Sequence, residues 1–432
     1  MNHRDQFERR PGFGSQNRRG FLASVAAIGV ALAASKATAM QGASLSLPKA
    51  SSEIMPFKVE VPQAAIDDLK NRLAHVRWPD EETVADNSQG VKLSDAKSLV
   101  DYWSGRYDWR KFEARLNRYP QFRTEIDGLG IYFIHVKSKH ENALPVIMTH
   151  GWPGSIVEFL ETIDPLTDPT AYGGKAEDAF HVVIPSIPGY GFSDRPSGPG
   201  WNAERTADAW GVLMQRLGYT RWVAQGGDWG SLITHRLAQR KPEGLIAAHV
   251  NLPLVIPAEK PANPTPEEQK ALKGLSILTG GDGGAYAFQQ GTRPQTLSYG
   301  LADSPAGQSM WILEKIQAWS DNDGNFEDAL SLDTVLDNIS LYWFTNTAAS
   351  SARYYWEVFR TGFSNYSAGH IDLPMAATMF AREFLQVPRS WANAAWPNLY
   401  YWNTAEHGGH FAAWEEPEIF VMELRRAFSS IR

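Results

Sequence analysis

The chain has 432 residues, 43% of them apolar and 12% aromatic, with 16 Trp. That composition excludes a disordered chain and supplies a sizeable core, and the length fits an enlarged α/β domain carrying insertions. A formal net charge of -7 argues against nucleic acid or an anionic membrane as the main partner, since both recruit concentrated positive charge. With no Cys in the chain, disulfides, thiolate nucleophiles and Cys-bound zinc are excluded.

Near the start, Asn17-Arg18-Arg19-Gly20-Phe21-Leu22 opens an apolar stretch from Phe21 to Ala34, about 14 residues long and shorter than the ~20 that a spanning helix needs. Paired arginines before a mildly apolar segment have the pattern of a twin-arginine export signal, and Ala37-Thr38-Ala39 provides small residues where a peptidase could cut. A signal over residues 1–39, with export to the bacterial periplasm, is the expectation. An uncleaved anchor is the rival, disfavoured by the short apolar region. No later segment reads as transmembrane.

Residues 55–123 are expected to form an N-terminal helical segment. Pro62 suits a first helical position, and Ile66, Leu69 and Leu73 then fall on one helix face. Trp103, Tyr107, Trp109, Phe112 and Leu116 follow in an aromatic stretch too apolar to be fully solvated, which predicts packing against another part of the protein. Asp127-Gly128 separates two β-prone runs, the signature of a hairpin.

A core with a mostly parallel, doubly wound sheet is expected over 124–254 and again over 366–432. Short apolar runs ending in glycines, at 143–151 and 180–194, read as strands buried on both faces. Ala203 to Leu217 reads as a helix, RWVAQ as a strand, and Leu245 to Asn251 as another. After Pro253 the sequence becomes Pro-rich and then helical and aromatic, so 255–365 is expected to be a helical cap inserted between sheet strands. Strands return at 372–380 and 398–404, and a closing helix runs from Pro417 to Ile431.

The stretch AQGGDWGS, 224–231, places Asp228 at the tip of a sharp strand-to-helix turn, with Gly226 and Gly230 where the backbone must approach itself. Such a tip stands above the carboxyl edge of the sheet, where open α/β sheets keep their active sites. Asp228 as a helix N-cap is the plain alternative. The spacing alone is weak evidence: Gly280-Gly281-Asp282-Gly283-Gly284 shares it, but lies in the helical insertion and reads as a loop. HGWPGS, 150–155, follows a strand and offers backbone N–H groups for a developing oxyanion, or is only a tight turn. GGHFAAWEEPE puts His410 on a loop after the last strand. Nucleophile, distant acid, then His is the chain order of the α/β-hydrolase triad.

With these three motifs in this order, and the aromatic helical segment before them, the chain resembles the α/β-hydrolase epoxide hydrolases of the microsomal type from about Phe57 to its C-terminus. The resemblance implies Asp228 as nucleophile, His410 as base, Glu383 of MFAREFLQVP as the acid that orients it, and cap tyrosines Tyr286 and Tyr355 as donors to the epoxide oxygen. Tyr354 competes with Tyr355, His407 with His410, and Glu406 and Asp372 with Glu383. The departure from the family is the export signal in place of a membrane anchor.

An elbow Ser would attack an acyl carbon, whereas a carboxylate suits displacement at an sp3 carbon and leaves an alkyl ester. Phenols, with pKa near 10, can donate to the far more basic alkoxide that an opening epoxide develops. The backbone N–H groups of Trp152 and Trp229 are expected to hold the oxyanion as His410 sends water onto the ester. The expected partner is a small hydrophobic epoxide, with no nucleic acid, no membrane, no cofactor and no metal. A haloalkane dehalogenase would need halide donors instead of the tyrosines. A non-catalytic module on this fold would tolerate loss of His410 or Glu383. No G-x-S-x-G occurs to support a Ser esterase.

Overall fold

The computed structural model describes residue 45 and residues 47–432 except 258, 280–281, 362–366 and 368; the expected signal at 1–39 lies outside them. The described residues build one nine-stranded sheet from β1 (Met55–Phe57), β2 (Gln121–Ile126), β3 (Leu129–Val136), β4 (Leu144–Thr149), β5 (Phe180–Pro185), β6 (Trp222–Gly226), β7 (Leu245–Val250), β8 (Met375–Met379) and β9 (Leu399–Thr404). The strand order is β1-β2-β3-β5-β4-β6-β7-β8-β9. Pairing is antiparallel from β1 to β5 and parallel from β5 through β4 to β9. Asp127 and Gly128 both take left-handed angles, φ 52° and 76°, which a two-residue hairpin turn requires; they join β2 to β3 with Ile126 opposite Leu129.

The helices are α1 (Gln63–Ala74), α2 (Leu93–Gly105), α3 (Trp109–Leu116), α4 (Leu160–Thr167), α5 (Ala203–Arg216), α6 (Asp228–Arg240), the six cap helices α7 (Pro266–Thr279), α8 (Ala285–Thr292), α9 (Pro294–Asp303), α10 (Pro305–Trp319), α11 (Leu332–Thr345) and α12 (Ala348–Arg360), then α13 (Arg389–Ala395), α14 (Ala412–Glu415) and α15 (Pro417–Phe428). The α5–α6 and α4–α15 pairs flank the sheet, α6 against β4, β6 and β7 and α15 against β8. β4, β6 and β7 are almost entirely buried, which is why they read as continuous apolar runs and not as alternating ones.

The segment read as helical over 55–123 is corrected in one respect. It carries α1 to α3, but its first residues form β1, and its last begin β2, so it also supplies the sheet edge. A three-residue strand is too short to show alternation; pairing with β2 fixes it. The aromatic stretch does pack on the cap: Trp103 Nε1 donates to Ser340 Oγ at 2.9 Å and Tyr107 to Asp337 at 2.8 Å, both on α11. The opposite side of α11 holds the HGWPGS turn, with Asn338 Nδ2 donating to Pro153 O at 2.8 Å and Tyr342 to Gly154 O at 2.7 Å. Cap, N-terminal segment and core are thus locked through one helix. Among the described residues no helix is long and apolar enough to cross a membrane.

Candidate active site

The sheet reverses its strand order at β4, with β5 added on one side and β6 on the other. Ligand crevices open at such switch points, beyond the carboxyl ends of the strands, and Gly151 and Asp228 stand there. Between β6 and α6 the chain turns so tightly that a Cβ on Gly226 would lie 2.1 Å from Gly230 O, and one on Gly230 would lie 1.8 Å from Thr149 O. Only hydrogen fits at either place. Asp228 itself is held at φ 50°, a left-handed conformation that costs energy in an L-residue and is retained where the surroundings enforce it. Gly227 takes the N-cap position, and the Asp228 carboxylate faces away from capping: its Oδ1 accepts from Trp152 N at 2.9 Å. It also rests on Gly151, where a Cβ would be 2.2 Å from Oδ1.

His410 lies between two carboxylates. Its Nδ1 is 3.1 and 3.0 Å from the two Glu383 oxygens, and its Nε2 is 3.2 Å from Asp228 Oδ2. The latter is an ion-pair distance, and among the described residues Nε2 has no hydrogen-bond partner that meets the geometry of a hydrogen bond. Burial opposes charge on this imidazole, but the Glu383 and Asp228 carboxylates outweigh it and hold its pKa well above the usual histidine range. Glu383 is buried just beyond β8. The rival residues stand elsewhere: His407 and Glu406 are exposed, and Asp372 is exposed, with Lys241 at 3.5 Å and His370 at 2.6 Å.

The cap brings Tyr286 of α8 and Tyr355 of α12 over the elbow. Both are buried. Trp152 stacks on Tyr286 with centroids 5.1 Å apart and meets Tyr355 edge-on at 5.7 Å, while Trp229 meets Tyr355 edge-on at 4.6 Å. Burial first, and then Asp228 for Tyr286, raises the phenol pKa of each, keeping both protonated. Tyr354 also meets Trp229 edge-on, at 5.6 Å, but its hydroxyl donates to Thr206 Oγ1 of α5 at 3.3 Å. The described part of the second glycine motif, Asp282–Gly284, is a 3-10 turn leading into α8, with a helix and not a strand before it. Trp229 follows Asp228 in the first turn of α6.

Glu158, in the SIVEF continuation of the HGWPGS turn, is a part of this site that no sequence pattern singles out. Its carboxyl fills the space where a Cβ on Gly154 would lie 1.6 Å from Oε1. Burial pushes its pKa up to about 8, with His410 opposing the rise and Asp228 adding to it. With Asp228, Asn251 and His410 it lines a cavity of about 10 Å³, the room that about one water needs. Its chain position resembles that of any helical glutamate, and only its adjacency to the turn could have drawn notice. Among the described residues no group of three or more metal-ligating side chains gathers.

A family model described as epoxide hydrolase N terminus matches residues 54–159, and one for the alpha/beta hydrolase fold matches 145–275. A Stigmatella aurantiaca protein bearing an epoxide hydrolase name is 57% identical over 381 residues, 88% of this chain and 86% of that protein. Epoxide hydrolase 1 of Sus scrofa is 36% identical over 404 residues, 86% of this chain and 88% of its own. Among solved structures, juvenile hormone epoxide hydrolase from the silkworm Bombyx mori aligns with a TM-score of 0.79 at 30% identity, covering 89% of this chain and 96% of that one. Aspergillus niger epoxide hydrolase aligns at 0.77 and 31%, covering 90% and 99%.

Proposed function

The chain belongs to the epoxide hydrolase family of the α/β-hydrolase fold, and within that family we propose that Asp228, His410, Glu383, Tyr286 and Tyr355 carry the reaction. The protein converts an epoxide and water to a vicinal diol through an aspartyl ester. Asp228 Oδ2, the oxygen not engaged by the Trp152 amide, attacks an epoxide carbon; that C–O bond breaks and its electron pair stays on the epoxide oxygen. Tyr286 or Tyr355 supplies the proton that turns this oxygen into a hydroxyl. A water in the cavity lined by Glu158 and Asn251 then gives a proton to His410 Nε2 and attacks the ester carbonyl. The Trp152 and Trp229 N–H groups hold the oxyanion; on collapse the bond to the diol oxygen breaks, that oxygen takes the remaining proton of the added water and leaves as a hydroxyl, Asp228 is left as carboxylate, and the imidazolium returns its proton to the phenolate. The observation that carries these roles is His410 reaching Glu383 at 3.0 Å and Asp228 at 3.2 Å beneath two buried phenols.

Trp152, Trp229 and Trp319 crowd the space around the carboxylate, which favours epoxides with apolar substituents. The mechanism is tested by one turnover in heavy-oxygen water with enzyme in excess. The diol should carry an ordinary oxygen taken from Asp228, and the solvent label should appear in the Asp228 carboxylate. Label passing straight into the first diol would reject the ester route.

The tyrosines separate by their partners. Tyr355→Phe should slow formation of the ester by about a hundredfold, the scale of a lost general acid. Tyr354→Phe should stay within about threefold, because its hydroxyl serves Thr206. Single-turnover quench rates measure both, and equal losses would reject the assignment.

A further inference from the structure

His410 hangs from a loop whose backbone is held by the cap. Gly408 N donates to Asp321 Oδ2 at 2.8 Å, Gly409 N to Glu415 Oε2 at 2.9 Å, His410 N to Trp319 O at 2.9 Å and Phe411 N to Glu415 Oε1 at 2.8 Å. Four consecutive amides thus have four designated acceptors. Two of those acceptors, on Trp319 and Asp321, lie at the C-terminal end of cap helix α10, and Asp321 N in turn donates to Glu415 Oε2 at 2.6 Å. The loop has no slack against the cap: a Cβ on Gly409 would lie 2.5 Å from Trp319 O and 2.9 Å from Asp321 N.

The same cluster reaches the acid. Arg382, the neighbour of Glu383, donates its amide to Gly408 O at 3.0 Å and pairs through Nε with Asp321 at 3.2 Å. The Trp319 ring stands 5.0 Å from His410 and 5.2 Å from Tyr286. Glu415 is a costly group to keep there. Burial pushes its pKa up to about 7 in spite of the three amides it accepts, and a buried carboxyl is retained at such a cost where its hydrogen bonds fix a geometry.

We propose that Glu415 and Asp321 are positioning residues for His410, fastening the base loop to the end of α10 so that the imidazole stands in line for the water that opens the ester. The proposal rests on the roles assigned above to Asp228 and His410. Its distinguishing consequence is selectivity between the two chemical steps. Attack of Asp228 on the epoxide uses the elbow and the cap tyrosines, which the clamp amides do not touch. Opening of the ester uses His410, and a misplacement on the order of 1 Å in a reacting group costs about a hundredfold.

The test compares Glu415→Gln and Asp321→Asn with the wild type, using styrene oxide as probe, enzyme in excess, and rapid quench with mass spectrometry of the Asp228 peptide. Asp323→Asn serves as control, since Asp323 is exposed and, among the described residues, its ion pair is with Arg382 Nη2 at 2.9 Å. In both clamp variants ester hydrolysis should slow about ten- to a hundredfold with ester formation within about twofold, and the control should match the wild type in both steps. Near-UV circular dichroism identifies the variants that keep the native fold. Should Glu415→Gln fail that check, the milder Asp321→Asn decides. Equal slowing of both steps, which general loosening would give, or no slowing of hydrolysis, overturns the clamp. Absence of any Asp228 ester, even in His410→Gln, would instead overturn the mechanism on which it rests.

Discussion

Asp228→Ala is expected to abolish turnover, by on the order of 10⁴-fold or more, because it removes the carboxylate on which the ester would form, and the remaining residues of a catalytic unit do not act independently. The fold should survive. The carboxylate makes one backbone hydrogen bond, from Trp152 N, worth about 1 kcal/mol. Removing it also relieves Glu158, whose charged form Asp228 disfavours. Opposing this, Ala tolerates φ 50° less well than Asp, since the short polar side chain eases the left-handed region. These terms are small and of both signs, so the melting temperature should move by only a few degrees. Diol formation under single turnover and a thermal melt read both outcomes. Turnover at more than about a hundredth of the wild-type rate would place the nucleophile elsewhere.

The parts of the molecule legible in its sequence are those where one residue type is enforced locally. Ile66, Leu69 and Leu73 are all buried on α1; Asp127-Gly128 turns where the hairpin signal predicts; and Gly226 and Gly230 sit where a Cβ would strike backbone. Each of these is a short-range constraint. Features that depend on where distant segments meet left no such mark. β1 exists because β2 pairs with it, Glu158 matters because the HGWPGS turn carries it under Asp228, and Glu415 matters because α10 ends beside it. The choice between Tyr354 and Tyr355 is of the same kind. Neighbours on a helix point about 100° apart; both rings meet Trp229, and that Tyr355 is the one to meet Trp152 as well is set by the docking of α12, which the sequence of α12 alone does not contain. The resemblance to a family could name Glu383 and the tyrosines because a relative's fold had already solved the docking.

His410→Gln should separate the two halves of the reaction more sharply than any other change. In the resting site His410 is flanked by the Asp228 and Glu383 carboxylates, which keep its pKa raised against the opposing effect of burial. Alkylation consumes the Asp228 charge. The imidazole then keeps only one of its two anionic neighbours, its pKa falls, and the neutral base needed to deprotonate water becomes accessible at the step that uses it. Ester formation should therefore depend little on this group, whereas hydrolysis should be lost as the pH falls through the pKa of His410 in the ester state. Gln is the informative replacement because its amide N–H can still donate to Glu383, whose side chain is fully buried; an Ala there would strand that carboxylate, a loss on the scale of about 3–5 kcal/mol. The expected result is one equivalent of Asp228 ester that persists, with hydrolysis slowed by about 10² to 10⁴ and the native fold retained. Mass spectrometry of the intact protein after mixing with excess epoxide reads it directly. If the variant cleared its ester at the wild-type rate, the water would be activated by another group, and the raised carboxyl of Glu158 across the same cavity would be the next to replace.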